Sequence, residues 1–257
     1  MADIPRQALV RGVPASYVGY YARQNRVVDG VLAGRQHQQY ADALAAAGLT
    51  VAVVPADESL ADCVFIEDTA VVWSGQVLMT RMCEAREGEQ AAVENVLQAT
   101  HSIVHLPSGA TLDGGDVLHV GDVSYVGLSS RTNQAGAAAV REFLGQFGRT
   151  VISVPVRHCL HLKTGVTCLG PGTLLAVPDW FDMRHFEVDS VIYTAPGEQR
   201  AANCLRIRDH LLIPAGYPET ARQIQAFAAT HGLHVTRLCI SEFETGDGSL
   251  TCLSLIW

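Results

Sequence analysis

The sequence predicts an α/β protein in which five ββαβ modules close into a ring, a five-bladed α/β propeller with pseudo-fivefold symmetry. Three observations predict this fold. Four apolar, β-rich runs are each interrupted by a short turn signal, which is the pattern of a β-hairpin. A helical or polar segment and then one more short strand follow each hairpin. The strands left over lie near the two ends of the chain, where their pairing would seal the ring.

The four hairpins define the first four modules. They are predicted within residues 64–80, 117–128, 166–177 and 204–213, with turns at residues 74–75, 121–122, 171–172 and 209–210. Helical segments are predicted at residues 87–100, 133–147, 180–186 and 218–230, of which 180–186 is weak and aromatic. Pro218 is placed to start the last of these helices and Gly232 to stop it. Closing strands are expected at residues 102–106, 150–156, 190–194 and 234–240.

The fifth module is divided between the two ends of the chain. Residues 250–257, which include Cys252, supply one strand and residues 8–10 its partner; residues 35–47 form an alanine-rich helix and residues 50–55 the last strand. An open, doubly wound α/β sheet is the alternative, because it also alternates strands and helices. It does not require the hairpins, which therefore favour the ring. No linker-like stretch divides residues 1–257, so we expect a single domain.

Composition limits the classes of function. The net charge is −8, which argues against binding to nucleic acid or to anionic membranes. No apolar run of about 18 residues predicts a membrane span, and the first ten residues lack the pattern of a signal peptide. The seven cysteines are odd in number and include no C-x-x-C pair. We therefore expect free thiols in the cytoplasm and no structural zinc site.

Ionisable residues lie just before or at the start of several predicted strands. Because equivalent strand starts in a ring of modules converge on its axis, they could assemble a cysteine–histidine–carboxylate site. Each residue also has a plainer interpretation. Cys252 could be a buried apolar filler, His161 a core histidine, residues 113–116 a tight turn, and the acidic residues near 62–68 a solvated face.

Six short segments taken together favour the functional interpretation. They are PADESLADCVFIED at 55–68, LDGGDV at 112–117, RTNQ at 131–134, HLKTG at 161–165, AANC at 201–204 and DGSLTC at 247–252. In this order they resemble the dimethylarginine dimethylaminohydrolases, a family of the pentein, or guanidine-modifying, superfamily. The resemblance covers nearly the whole chain. It implies the five-bladed ring, and hydrolysis of asymmetric dimethylarginine or monomethylarginine to citrulline and a methylamine.

The resemblance also implies roles for particular residues. Cys252 would be the nucleophile that forms a covalent thiouronium, His161 the general acid and base, and Asp113 the carboxylate that orients His161. The implied substrate-binding residues are Asp62, Phe65, Glu67, Asp68, Arg81 and Arg131. The two aspartates would hold the guanidinium, the two arginines the α-carboxylate, and the phenylalanine the aliphatic stem. No metal or organic cofactor is expected, because a thiolate, an acid–base histidine and water supply the chemistry.

Several alternatives stay open at this point. Arginine deimination would release ammonia, an amidinotransferase would use an amine in place of water, and a non-catalytic protein of the same fold would only bind an amino acid. Residues 15–29, which contain three tyrosines, form either a lid over the substrate or an ordinary surface loop. The expected partner is a small arginine derivative, and a homodimer is left open.

Overall fold

Five three-stranded sheets confirm the predicted ring of five modules. The computed structural model describes residues 5–257. In each sheet the middle strand pairs antiparallel on one side and parallel on the other, as a ββαβ module requires. Within the described residues, no helix is both long and apolar enough to cross a bilayer.

The terminal blade joins the two ends of the chain, as predicted. It consists of β1 (Gln7–Arg11), α1 (Ser16–Ala22), α2 (Gly30–Ala46), β2 (Thr50–Val54) and β15 (Leu255–Ile256). The middle strand β1 is antiparallel to β15, with Ala8 opposite Ile256, and parallel to β2. Helix α2 begins five residues earlier than predicted, because the Asp29 side chain accepts hydrogen bonds from two N–H groups of its first turn.

The other four blades follow in chain order. The first blade contains β3 (Ala70–Trp73), β4 (Gln76–Met79), α3 (Glu89–Leu97) and β5 (Ser102–His105). The second contains β6 (Val117–Val120), β7 (Val123–Leu128), α4 (Gln134–Gly145) and β8 (Thr150–Pro155). The third contains α5 (Leu162–Gly165), β9 (Val166–Gly170), β10 (Thr173–Ala176) and β11 (Ser190–Tyr193). The fourth contains β12 (Leu205–Ile207), β13 (His210–Pro214), α6 (Pro218–His231), β14 (His234–Leu238) and α7 (Ser241–Thr245).

The third blade lacks the helix predicted at residues 180–186. Only one 3-10 turn, Met183–His185, forms there. The aromatic residues that weakened the helical pattern are core residues: Phe181 and Phe186 are buried, and Phe186 packs on Tyr125 with ring centroids 4.8 Å apart. Burial of both rings fixes the crossover as an aromatic loop, so the prediction of a helix was wrong.

The predicted strand at residues 250–257 is also shorter in the structure. Only Leu255 and Ile256 pair with β1, and the 3-10 turn Thr251–Leu253 precedes them. The prediction that Cys252 lies within a strand is therefore wrong. Cys252 lies on a single turn at the entrance to β15, which is the same position that polar residues occupy in the other blades.

Apolar cores form where neighbouring blades meet. Between the terminal and first blades, for example, Leu9 and Leu255 pack with Ile66 and Val77 in one buried cluster. Burial of such side chains supplies the main stabilising free energy of the ring. These cores hold the strand starts, and the polar turns before them, in fixed relative positions.

Candidate active site

Short helical turns precede the first strand of four blades and carry most of the predicted site residues. Residues 66–69 precede β3, 114–116 precede β6, 162–165 precede β9 and 251–253 precede β15. The turn before β3 packs against those before β6 and β15, and α5 packs against the turn before β6. The structure therefore brings together Glu67, Asp68, Asp113, His161 and Cys252.

His161 and Asp113 form a buried hydrogen-bonded pair. The His161 Nε2 atom lies 2.9 Å from Asp113 Oδ2, and Asp113 is completely buried. On the other edge of the ring, His161 Nδ1 lies 3.9 Å from Asp68 Oδ1. Burial alone would lower the pKa of His161, but the charge of Asp68 and the hydrogen bond to Asp113 outweigh it and raise the pKa to about 9. The imidazole is therefore protonated at neutral pH.

Glycine is required beside this imidazole. A Cβ atom on Gly115 would lie 2.7 Å from His161 Nδ1 and 2.9 Å from Asp68 Oδ1. The Gly115 N–H donates to the same Asp68 oxygen at 2.9 Å. The glycines in LDGGDV thus allow close approach of the backbone, in addition to any turn they form.

Asp116 fixes the backbone next to His161, a role that the sequence analysis did not assign. It accepts hydrogen bonds from the Leu162 N–H at 2.8 Å and from the hydroxyls of Ser129 and Thr132 at 2.6 and 2.7 Å. Its side chain is fully buried. Asp116 is therefore a positioning residue for the histidine, and its place in the LDGGDV segment was the available signal.

Asp68 forms a buried ion pair with Arg86. Arg86 Nη1 lies 2.5 Å from Asp68 Oδ2, and the same guanidinium binds Glu89 at 2.7 Å and the Phe65 carbonyl at 2.9 Å. Burial opposes ionisation of Asp68, but the cations His161 and Arg86 together lower its pKa below the usual range. Asp68 is thus ionised, and the positive charges of Arg86 and His161 balance its negative charge. No local pattern marks Arg86 as a site residue, because it lies in a polar run between the first hairpin and α3.

Glu67 belongs to a second buried network, next to the turn that carries Cys252. Lys163 Nζ lies 2.5 Å from Glu67 Oε1, and the Thr251 hydroxyl donates to Glu67 Oε2 at 2.8 Å. Asn203 accepts from the Thr251 N–H at 2.9 Å and donates to the Lys163 carbonyl at 2.8 Å. Both oxygens of Glu67 are therefore occupied. Lys163 and Asn203 were not predicted, although both lie in segments that carried the family resemblance.

This network also borders a cavity of about 1020 Å³. Residues of all five blades line the cavity, and Glu67, Lys163 and Thr251 are among them. Cys252, His161 and Asp113 do not contact it. The Glu67–Lys163 pair therefore separates the catalytic cluster from a larger space within the ring.

The Cys252 thiol is protonated in the free protein. Burial raises its pKa to about 12, and the neighbouring carboxylates of Glu67 and Asp68 contribute to the increase. The Cys252 N–H donates to the Ser249 carbonyl at 3.2 Å, which closes the turn. A cation placed between the thiol and these carboxylates would favour the thiolate.

Asp62 and Phe65 lie beneath residues 15–29. The Tyr21 hydroxyl donates to Asp62 Oδ1 at 2.7 Å, and the Phe65 ring packs edge-on against Tyr17 with centroids 6.0 Å apart. Phe65 also contacts Gly248, in the loop that leads to Cys252. The segment 15–29 is thus an ordered cover over this part of the site, rather than a surface loop apart from it.

The two predicted carboxylate-binding arginines have different surroundings. Arg131 Nη1 lies 3.7 Å from Asp113 Oδ2 and 2.7 Å from the Cys83 sulfur, and the side chain is about a quarter exposed. Arg81 is exposed and directs its guanidinium to the carbonyls of Pro107 and Ala110, at 2.8 and 3.0 Å. The structure therefore brings Arg131 to the catalytic cluster and leaves Arg81 bound to the loop at 106–110.

One group of side chains in the described part of the chain has the spacing of a metal site. Ligand atoms of Asp68, Asp113 and His161 lie within 4.8 Å of one another. Protonated His161 is itself the cation between these two carboxylates, and Asp68 also binds Arg86. The cluster is therefore suited to hold a proton on the imidazole.

Comparisons with known proteins show which family and which fold this chain resembles. Residues 22–189 match the family model described as N,N dimethylarginine dimethylhydrolase, eukaryotic. The N(G),N(G)-dimethylarginine dimethylaminohydrolase of Pseudomonas aeruginosa is 32% identical over 99% of this chain and 97% of its own length. A protein of the same name from Streptomyces coelicolor is 38% identical over 89% of this chain and 87% of its own length.

Solved structures show the same similarity. A cysteine-to-serine variant of the Pseudomonas aeruginosa enzyme in complex with citrulline has a TM-score of 0.90 and 28% identity, covering 99% of this chain and 100% of that one. A histidine-to-glycine variant of a dimethylarginine dimethylaminohydrolase, as an adduct with S-methyl-L-thiocitrulline, has a TM-score of 0.90 and 30% identity, with 98% and 100% covered. The N-terminal domain of the cyanobacterial arginine dihydrolase ArgZ has a TM-score of 0.85 at 19% identity over 99% of this chain and 97% of that one, which concerns the fold alone.

Proposed function

This chain belongs to the dimethylarginine dimethylaminohydrolase family, and from that membership we propose that it hydrolyses N-methylated arginine to citrulline and a methylamine. Asymmetric dimethylarginine and monomethylarginine are the substrates. One observation supports the assignment of the site above all others. The His161 imidazole binds Asp113, faces Asp68 and lies among the turns that precede the strands, one of which carries Cys252.

We propose that the charge of the substrate activates Cys252. The thiol is protonated at rest, since burial and two carboxylates raise its pKa to about 12. A bound guanidinium cation offsets those carboxylates and favours loss of the thiol proton to solvent. The thiolate then attacks the central carbon, forming a C–S bond and a tetrahedral adduct.

His161 moves the proton in the later steps. Its Nε2 atom is bound to Asp113 and its Nδ1 atom faces Asp68, so we propose that Nδ1 carries the proton that is exchanged with the substrate. The imidazolium donates its Nδ1 proton to the methylated nitrogen, the C–N bond breaks, and a methylamine leaves. Neutral His161 then removes a proton from water, which attacks the thiouronium carbon. The C–S bond breaks, the proton of the new hydroxyl passes to the Cys252 sulfur, and citrulline forms with the thiol restored.

The two ends of the substrate carry opposite charges, and the proposed contacts match them. Asp62 and Asp68 hold the guanidinium, as the resemblance implied: Asp62 accepts hydrogen bonds from it, and ionised Asp68, which also binds Arg86, attracts its charge. Glu67 lies beside them as a further substrate-binding residue. Arg131 binds the α-carboxylate, and Phe65 packs along the aliphatic stem. Arg81 keeps its predicted role as a second carboxylate ligand, which requires it to leave the carbonyls it binds. Fixing both ends places the guanidinium carbon near the nucleophile.

We also propose a cytoplasmic location and no nucleic-acid partner. The seven free thiols and the net charge of −8 support these two proposals, respectively. A single domain over residues 1–257 and a homodimer both stay predictions. Limited proteolysis tests the first, and light scattering tests the second.

Product analysis tests the proposed reaction. We expect citrulline from both substrates. Dimethylarginine should release one dimethylamine, and monomethylarginine one methylamine, for each citrulline formed. Arginine deimination would instead release ammonia from unmethylated arginine, and an amidinotransferase would form a new guanidino compound when glycine is supplied. Binding of methylarginine by calorimetry with no citrulline formed would identify a non-catalytic binding protein and refute the proposal.

A further inference from the structure

Residues 15–29 are attached to the rest of the protein at several points. The carboxylate of Glu58 accepts hydrogen bonds from the Ala15 and Ser16 N–H groups at the start of α1, at 3.0 and 2.9 Å. The Tyr17 hydroxyl donates to the Glu242 carbonyl at 3.1 Å, and Arg26 donates to the Thr245 carbonyl at 2.9 Å. These contacts hold α1 against the loop that leads to Cys252.

One of the contacts from α1 reaches the active site itself. Tyr21 is 4% exposed, and its hydroxyl lies 2.7 Å from Asp62 Oδ1 and 3.0 Å from the Gly246 carbonyl. A Cβ atom on Gly246 would lie 3.0 Å from the Tyr21 hydroxyl oxygen and would collide with the Tyr17 hydroxyl. The surroundings therefore hold the Tyr21 hydroxyl against the carboxylate.

Asp62 is partly exposed and differs from the buried acids of the site in its partners. Asp68 and Glu89 share Arg86, Glu67 binds Lys163, and Asp113 binds His161. Among the described residues, no cationic group forms an ion pair with Asp62; its partner is the neutral Tyr21 hydroxyl. Asp116 has no ion pair either, but it is fully buried and accepts three hydrogen bonds from neutral groups. Asp62 is therefore the partly exposed acid of this cluster whose negative charge is left for the cation of the substrate.

We infer that Tyr21 is a specificity-determining residue, which holds one oxygen of Asp62 and so favours methylated over unmethylated guanidinium groups. This inference rests on the proposed function. An unmethylated guanidinium presents two parallel N–H groups, which pair best with both oxygens of a carboxylate. The Tyr21 hydroxyl takes up one lone pair of Oδ1 and fixes the orientation of the carboxylate, which weakens a forked pair with two N–H groups. Asymmetric dimethylarginine has no N–H on one of its two terminal nitrogens and cannot form a forked pair from the terminal edge of its guanidinium. It therefore loses little from this restriction.

The aromatic ring of Tyr21 is a second reason to expect a preference for methylated guanidinium groups. Tyr21 packs edge-on against Tyr17 and Tyr20, with centroids 4.8 and 5.1 Å apart. The three rings give α1 an aromatic surface beside Asp62. N-methyl groups of a cation bind favourably to such surfaces. Replacement of Tyr21 by phenylalanine keeps this surface and removes only the hydroxyl, with its contacts to Asp62 and to the Gly246 carbonyl.

The test is the ratio of kcat/KM for arginine to kcat/KM for asymmetric dimethylarginine. In Tyr21→Phe we expect this ratio to rise about tenfold, because arginine gains a charge-assisted hydrogen bond that dimethylarginine cannot form. Tyr17→Phe is the matched control, since it removes a buried hydroxyl of the same helix that binds a backbone carbonyl. We expect the control to leave the ratio unchanged. Partial unfolding would lower both rates alike and would not change the ratio.

The pH dependence gives an independent readout. Burial raises the pKa of Asp62, and the hydrogen bond from Tyr21 lowers it. Loss of that bond should therefore raise the pKa of Asp62 further and move the acid limb of kcat/KM to higher pH in Tyr21→Phe but not in Tyr17→Phe. An unchanged ratio in a folded Tyr21→Phe protein overturns the inference, even if the acid limb moves. Absence of citrulline from the wild-type protein with either substrate would instead overturn the proposed function.

Discussion

The catalytic cluster and the cover at residues 15–29 are held in place by different kinds of contact. In the cluster, buried charges are paired with one another, as in Asp68 with Arg86 and Glu67 with Lys163. The cover is held by hydrogen bonds in which at least one partner is neutral, as in Tyr17 with the Glu242 carbonyl and Tyr21 with Asp62, and by the exposed ion pair of Arg26 with Asp247. A buried network resists reorganisation, whereas exposed contacts break at small free-energy cost. We therefore expect changes in the cluster to affect kcat and stability, and changes in the cover to affect KM and substrate preference.

The largest expected effect within the cluster is that of the nucleophile. Cys252→Ser should lower kcat by about three orders of magnitude or more, because a hydroxyl is a much weaker nucleophile at neutral pH. Circular dichroism should show an unchanged fold. The exposed Cys239 provides the control, and Cys239→Ser should retain activity. Substantial citrulline formation by Cys252→Ser would mean that another residue attacks the substrate.

The next largest expected difference between the cluster and the cover is in the free energy of unfolding. Lys163→Met leaves Glu67 buried without its cation, which should lower the free energy of unfolding by about 3–5 kcal/mol. Arg26→Gln removes an exposed partner of Asp247 and should cost less than about 1 kcal/mol. Urea unfolding measures both values. Similar losses for the two variants would contradict the distinction between the cluster and the cover.

Titration of His161 provides a test of the cluster by pH. Its pKa is raised to about 9, so the general acid is present below this value and is lost as the pH rises through it. We expect kcat to fall on the alkaline side near this pH. Asp113→Asn removes a carboxylate that raises the pKa, so the alkaline limb should move to lower pH, and kcat should fall about a hundredfold. A limb that does not move would assign the alkaline titration to another group.

The smallest expected effect concerns the carboxylate end of the substrate. Arg131→Lys should raise KM about tenfold, because lysine cannot reproduce a forked contact. Arg81→Lys should raise KM less, since the Arg81 guanidinium already binds two carbonyls of the loop at 106–110. Initial-rate measurements of both variants with dimethylarginine decide the comparison. A larger effect of Arg81 would show that this side chain leaves its carbonyls to bind substrate.

Much of the ring was predictable because its signals are local. Each hairpin has its own turn, and Pro218 and Gly232 mark the ends of α6 as predicted. Local signals were misleading where burial decides the conformation. Phe181 and Phe186 pack in the core, so the residues around them form a loop and not a helix. The apolar residues around Cys252 have the pattern of a strand, although they form a turn.

The site was less predictable than the ring, because its ion pairs join residues far apart in sequence. Lys163 lies 96 positions from Glu67, and the Thr251 hydroxyl that binds the same carboxylate lies 184 positions away. No periodicity or motif spacing specifies such partners. Tyr21 was noticed only as part of an unusual aromatic segment, and its contact with Asp62 could be found only from the folded chain.

The pairing of β1 with β15 has a consequence for folding kinetics. Leu9 lies opposite Leu255, so this contact closes a loop of nearly the whole chain. Contacts of such high sequence separation form slowly, because the entropy of loop closure opposes them before any contact is made. Cys252 lies directly before β15, and its placement depends on this last closure. We therefore expect recovery of activity on dilution from urea to follow the slowest phase of refolding, after most secondary structure has returned.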